Sequence, residues 1–286
     1  MDEQPQLPPP PPPEPAVVRV DRWFWPFLVF GFFCLAADVL IIGVAMRFRH
    51  ADSQWLAVAG AVIATILCIL IFDRGRWPIG FSGPPLAAVR ELVYGGVFAA
   101  LLIGFADLVV ELTTHVTHTR GNGFPWGELF AVYLPAVLHE ELLFRGYPYQ
   151  KMRRWSRPAA IVVLSLLFAL AHMGNRGVTV IAFTNLVIAG VLLALAYELY
   201  ERLWFPIGLH LAWNLVSGPI IGYPVSGFVT DPTVIVTHVS GPPALTGGAF
   251  GLEGSIGVTI AELLAIGWLL FRMYHSRRAK TAQEIP

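Results

Sequence analysis

The sequence predicts an all-α protein, a polytopic membrane bundle of about eight transmembrane helices. Three observations carry that expectation. Of 286 residues, 56 % are hydrophobic and only 13 % charged, with a mean hydropathy of +0.63. Soluble domains carry about 25 % charged residues. So little charge cannot coat a soluble globule, which excludes a soluble enzyme and a disordered chain. The second observation is a set of eight apolar runs close to the ~20 residues that span a bilayer. The third is that basic residues between those runs fall mostly on one side. The 19 Lys and Arg are balanced by 19 Asp and Glu, so the basic excess of a nucleic-acid binder is absent.

The first segment is a tail, 1–20. Pro5, the run Pro8 to Pro13, and Pro15 favour polyproline-type chain and oppose a helix or core, so it reads as disordered and cytosolic. No signal peptide is expected, because the first apolar run is too long for an h-region and no cleavage pattern follows. The eight candidate spans are 23–46, 55–72, 92–110, 126–144, 158–172, 178–197, 204–221 and 255–274, inside one transmembrane domain at 21–275. Trp and Tyr sit at many of their ends, as interfacial anchors do. A basic cytosolic tail, 276–286, closes the chain. Cys34 and Cys68 both lie in apolar runs and are too few for a disulfide framework or a cysteine-based metal site.

Orientation follows from the loops. Arg47, Arg49, Arg120 and Arg176 fall on one side of the eight-span arrangement, and the other fifteen of the 19 basic residues on the opposite side. The positive-inside rule then puts both termini in the cytosol. The last external loop, 222–254, is rich in Gly and Pro and has no Lys or Arg.

Ionisable side chains at membrane depth cost at least a few kcal/mol each and mark functional sites by default. The densest group is His139-Glu140-Glu141-Leu142-Leu143-Phe144-Arg145 in the fourth span. The fifth ends Phe168-Ala169-Leu170-Ala171-His172, and the seventh carries His210-Leu211-Ala212-Trp213-Asn214. If the fourth helix runs on to the interface near Arg153, a rise of ~1.5 Å per residue puts Glu140 about 20 Å deep. The same count puts His172 at about 22 Å, His210 at about 12 Å and Asn214 at about 18 Å. Three segments thus bring polar groups to overlapping levels. His210 and Asn214 share a helical face, as do Phe168 and His172. Glu141 and Arg145 form an i,i+4 acid-before-base pair, a structural pair in this reading. Glu140 is rotated about 100° from Glu141, so one carboxylate can face a cavity while the other is tied to Arg145.

These segments resemble the CPBP family of intramembrane proteases, the type II CAAX prenyl endopeptidase group also called the Abi family. The family pattern is E-E-x-x-x-R, then F-x-x-x-H, then H-x-x-x-N. Here it reads Glu140-Glu141-Leu142-Leu143-Phe144-Arg145, Phe168 to His172, and His210 to Asn214. The resemblance runs from about Glu128 to Ser217 and includes the linking stretches from Asn185 to Gly190 and from Leu203 to Gly208. It implies an intramembrane endopeptidase acting on a membrane-embedded or lipidated protein or peptide. It also implies that Glu140 and His172 activate water while His210 and Asn214 form an oxyanion hole. That mechanism requires no cofactor. The family is often labelled metalloprotease, its use of a metal is disputed, and a zinc site could be assembled from Glu140, His172 and His210.

Blander readings stand beside these. The H-E-x-x-H zinc signature is absent, because position 143 is Leu. Taken singly, Glu140, His172, His210 and Asn214 are also what interhelical hydrogen-bond glue looks like. Asp38, Asp107 and Glu262 fit bundle polar pairs, and His139 is left outside the site. The alternative function is a non-catalytic membrane protein, a scaffold or a transporter-like bundle. Geometry separates the two: a protease needs Glu140, His172, His210 and Asn214 on one cavity. The topology has its own test. Single cysteines placed in 151–157 and after Pro286 should both be labelled only from the cytosolic side, and labelling of either from outside refutes the eight-span arrangement.

Overall fold

The structure, a computed structural model, describes residues 16–47, 53–75 and 80–283. The first fifteen residues of the expected tail lie outside the described residues, as does the side chain of Asp38. Among the described residues, nine helices of nine residues or more carry the fold. They are α1 (Ala16–Arg47), α2 (Ser53–Asp73), α3 (Pro85–Thr113), α4 (Leu134–Phe144), α5 (Tyr147–Trp155), α6 (Arg157–Ala171), α7 (Val180–Tyr200), α8 (Trp204–Leu215) and α9 (Ile256–Gln283). This is the all-α bundle expected; α3 begins seven residues before its apolar run, at Pro85, and the first and last helices also overrun theirs.

The two outer boundaries differ from expectation. The first helix begins at Ala16, inside the segment read as tail, because nothing after Pro15 opposes helical backbone until the lone Pro26. The last continues to Gln283, since no Gly or Pro follows Gly267 until Pro286. Among the described residues, four helical stretches are long and apolar enough to cross a membrane: Gln54–Asp73, Pro85–Thr113, Val180–Tyr200 and Ile256–Ser276. Trp23–Ala37 and Arg157–Ala171 are shorter apolar helices. The outer faces carry Leu101, Leu108, Leu112, Leu263, Leu264 and Phe271 exposed, a surface suited to lipid and not to water. The chain is therefore an integral membrane protein.

The two runs that carry most of the polar motifs are neither uniform nor wholly apolar. Before α4, residues Leu129–Tyr133 form a π-turn in which Leu134 N–H bonds Leu129 O. After α8, Val216–Ile220 form another, with Ile221 N–H bonding Val216 O at 2.9 Å. Each contains or precedes a proline, Pro135 and Pro219, whose missing N–H breaks the i→i−4 ladder; the wider turn absorbs it.

The fourth helix does not run on to Arg153. It stops at Phe144, and the chain turns at Arg145 and Gly146 before α5 begins, with Pro148 in its first turn. The depth count based on a continuous helix is corrected accordingly. Buried Tyr147, Tyr149 and Met152 seat α5 on the bundle. Its charges are tied as well: Lys151 to Asp73 at 2.6 Å, and Arg153 to Glu198 at 2.7 Å.

The bundle closes most tightly where α8 crosses α3. A Cβ on Gly208 would lie 2.2 Å from Leu92 O, and one on Gly95 would lie 2.3 Å from Phe205 O. Two glycines facing each other let backbone meet backbone, the small-residue packing that serves helices in lipid. Around this crossing Ala99, Ile103, Ala106, Leu192, Phe205 and Leu209 form the main core. On one end of the bundle a two-stranded antiparallel ribbon joins two loops. It pairs β1 (His115–Arg120) with β2 (Ile235–Ser240), with His115 opposite Ser240 and Arg120 opposite Ile235.

Gly208→Ala should therefore force α8 away from α3. Overpacking of this kind costs about 1–3 kcal/mol, read as a lower thermal midpoint in detergent. Gly104→Ala, on α3 but with nothing within 4 Å of its Cβ position, should melt like the wild type. Equal midpoints for all three proteins would contradict the close crossing.

Candidate functional site

The site is built around a buried charge. Glu141, on α4, is 0 % exposed, and Arg145 is 1 % exposed. Arg145 Nη1 donates to Glu141 Oε1 at 3.1 Å, one helical turn away. The guanidinium is held twice more. Its Nη2 donates to Gly190 O on α7 at 3.1 Å, and its carbon lies 4.8 Å over the Phe168 ring of α6. Gly190 reaches this position because it has no side chain: a Cβ there would lie 2.7 Å from Ser165 Cβ. The fourth contribution comes from α8, where His210 Nδ1 donates to Glu141 Oε1 at 2.9 Å. One ion pair thus draws four helices together.

Phe168 fills the space between the parts. Its ring packs against His172 at 4.7 Å and against His210 at 6.0 Å, with Arg145 on its face. The aromatic of the second motif positions both histidines while itself carrying no reactive group.

Glu140, one residue before Glu141, points elsewhere. It lines a cavity of about 620 Å³ together with His172, His210 and Asn214. Glu140 Oε2 lies 3.7 Å from His210 Nε2 and 3.9 Å from His172 Nε2. That oxygen is buried and has no hydrogen-bond partner among the described residues. The four residues that sequence reasoning selected are thus brought together on one cavity, and Glu141 and Arg145 sit behind it.

The tautomers follow from the partners. His172 caps α6, and its Nδ1 is 2.8 Å from Phe168 O. A carbonyl only accepts, so Nδ1 carries the proton and Nε2 turns to Glu140. His210 Nδ1 meets a carboxylate, so there too Nδ1 donates and Nε2 faces Glu140.

Two imidazoles and a carboxylate are a donor set that zinc uses. The spacing is wide for it. Among the described residues, Asp107, Glu111 and His118 form the set of three whose ligating atoms all fall within 4.8 Å of one another, and Glu140, His172 and His210 do not. Two zinc–nitrogen bonds of about 2.1 Å span at most ~4.2 Å. As spaced here, the three residues would have to draw closer to ligate one zinc ion together.

Other residues of this cavity were not singled out in the sequence. His139, set aside there, lines it. Glu253 forms part of its wall, accepting from Trp213 Nε1 at 3.1 Å, Ser226 N at 2.6 Å and Ser226 Oγ at 2.8 Å. Asn185 Nδ2, on α7, donates to Glu253 O at 2.8 Å and so fixes that segment. Glu253 sits in a Gly- and Pro-rich loop, where no periodicity flags it. Glu262 also lines the cavity, almost wholly buried. Asp107 has a bundle partner, as a polar pair would: Tyr223 OH donates to it at 2.7 Å.

Residues 122–216 match the family model described as Rce1-like, type II CAAX prenyl endopeptidase. The matched stretch holds all three motifs, from Glu140 to Asn214, and the four helices joined by the Glu141–Arg145 pair. No curated protein matches the chain. The resemblance read from the motifs is thus found independently, and it supports an intramembrane protease in general terms.

Removal of one partner of a buried ion pair costs about 3–5 kcal/mol. Arg145→Ala should therefore lower the folded yield and the thermal midpoint, and Arg145→Lys should rescue little of it. A lysine has no fork to hold Glu141 and Gly190 O at once. Normal accumulation and melting of Arg145→Ala would show that the pair does not hold the bundle.

Proposed function

We propose that this chain is an intramembrane endopeptidase that hydrolyses a peptide bond of a membrane-embedded or lipidated protein or peptide. The observation that carries the reading is the convergence of Glu140 Oε2 on two imidazole Nε2 atoms, at 3.7 and 3.9 Å, inside a cavity of about 620 Å³. Ligand cavities run about 300–1,000 Å³. The Rce1-like match supports the same class of chemistry. Interhelical glue is a poorer reading, because Glu140, His172, His210 and Asn214 all line one cavity.

In the proposed reaction a water sits between Glu140 and His172. Glu140 Oε2 takes one of its protons as general base, and His172 Nε2 accepts a hydrogen bond from the other. The water oxygen attacks the scissile carbonyl carbon, and the carbonyl oxygen becomes an oxyanion. The Asn214 amide and His210 Nε2 stabilise it. To donate through Nε2, His210 must carry both ring protons, with Glu141 and Glu140 as its counter-charges. The C–N bond then breaks, and the proton held on Glu140 passes to the leaving amine. No cofactor enters these steps.

Glu140→Gln keeps the shape of the side chain and removes the base. It should abolish cleavage while leaving expression and substrate binding intact. His210→Ala and Asn214→Ala should lower turnover by about 10²–10³ each, the worth of an oxyanion donor. The assay is cleavage of a peptide captured by the Glu140→Gln protein, with and without chelator. Full activity in Glu140→Gln would refute the mechanism. Chelator-sensitive activity that zinc restores would keep the protease and overturn the roles given to His210 and Asn214.

A further inference from the structure

A second concavity lies apart from the catalytic one and shares none of its lining residues. It is a crevice of about 360 Å³ between α5, the end of α7, the start of α8 and the segment before α3. Arg153, Arg154, Arg202, Gln150, Ser82 and Glu201 are on its walls. Arg153 holds Glu198 through Nε at 2.7 Å and Nη2 at 3.0 Å. Arg202 holds Glu91 through the same two nitrogens. Nη1 of each arginine makes no hydrogen bond to another described residue. Gln150 is a second and independent sign. Its side chain is 5 % exposed, yet Nε2 is buried with no hydrogen-bond partner among the described residues. A buried amide donor without an acceptor is unfavourable unless something supplies the acceptor.

We propose that this crevice binds the phosphate of a membrane phospholipid. Glu198 and Glu91 occupy one edge of Arg153 and of Arg202, and Glu201 on the wall already accepts from Arg153, so the Nη1 groups of these two arginines and the Gln150 amide are donors without an acceptor among the described residues. A phosphate offers several oxygens to such a set, and arginine is the side chain that pairs with it in a fork. A lipid is the source because of where the crevice lies. It opens at the end of the apolar run of α7, beside Tyr197, Tyr200 and Trp204, on the side that carries most of the chain's basic residues. Aromatic side chains and basic pockets at that level are where headgroups sit.

The test is thermal melting of the full chain in a phosphate-free maltoside detergent. Phosphatidylglycerol, diacylglycerol with the same acyl chains, and inorganic phosphate are titrated separately. Phosphatidylglycerol should raise the midpoint, and diacylglycerol should not. Gln150→Leu and Arg154→Gln should each need about tenfold more phospholipid for the same rise, the worth of one charge-assisted hydrogen bond. Arg120→Gln, on β1 beyond the far end of α3 from the crevice, should titrate like the wild type. Arg154 is exposed, so its variant keeps the test alive if Gln150→Leu does not fold. An equal rise with diacylglycerol, or an equal loss in Arg120→Gln, overturns the site. A full rise with inorganic phosphate alone at the same concentration overturns the lipid assignment. None of these readings depends on proteolysis.

Discussion

The site depends on one interaction, the buried pair between Glu141 and Arg145. A lone guanidinium at that depth would be untenable, and burial of two charges is worthwhile only if their remaining donors and lone pairs are met. Here the guanidinium and Glu141 Oε1 are met, while Glu141 Oε2 is buried with no hydrogen-bond partner among the described residues. Glu141 takes Arg145 and His210, and Arg145 takes Glu141 and Gly190 O and lies over Phe168. Each partner comes from a different helix, so meeting those demands fixes α4, α6, α7 and α8 against one another. The charge acts less as a source of net stability than as a register device. A helix that rotated or slid by one residue would strand a charge in the core.

That register explains the division of labour between adjacent carboxylates. Two glutamates in a row cannot face the same way on a helix, since consecutive residues are ~100° apart. Because Glu141 is consumed by Arg145 and His210, Glu140 is left facing the cavity. The same pair orients the chemistry on its far side. His210 is held by its Nδ1–H on Glu141, which leaves Nε2 to the cavity. The structural layer and the reactive layer are one residue apart in sequence and back to back in space.

Much of this was legible in the sequence, and the reason is spacing. The i,i+4 relations of Glu141 with Arg145, Phe168 with His172 and His210 with Asn214 are local helical geometry, so sequence alone fixes which residues share a face. The helical runs were legible because apolar stretches of spanning length leave little room for ambiguity. What was not legible came from elsewhere. The end of α4 at Phe144 arises from Gly146 and Pro148, residues that can kink a helix or end it; Tyr147, Tyr149 and Met152 seating α5 as a separate piece decide the matter. The ribbon of β1 and β2 pairs segments more than a hundred residues apart in a chain otherwise helical. Its β-branched stretches, Val116-Thr117 and Ile235-Val236-Thr237, were the available signal. Glu253 was invisible because its role rests on Trp213 and Ser226, groups brought to it only by the tertiary fold.

The two histidines differ in what stands behind them, and this gives their proposed roles a physical basis that the motifs alone do not. His172 Nδ1 rests on a neutral acceptor, the Phe168 carbonyl, at 2.8 Å. A second proton on that ring would have no counter-charge at its back, so its Nε2 is suited to accept from a water. His210 Nδ1 rests on a carboxylate at 2.9 Å, with a second carboxylate 3.7 Å from Nε2. A doubly protonated ring is matched there from both sides, which suits it to donate to a developing oxyanion. Glu140 lies between the two and is within 3.9 Å of both Nε2 atoms. In the proposed reaction it takes a proton from a water held toward one ring while the other ring meets the charge that the attack creates. The asymmetry comes from a carbonyl in one helix and a carboxylate in another. The same Glu141 that fixes the helices thus also sets which imidazole can donate.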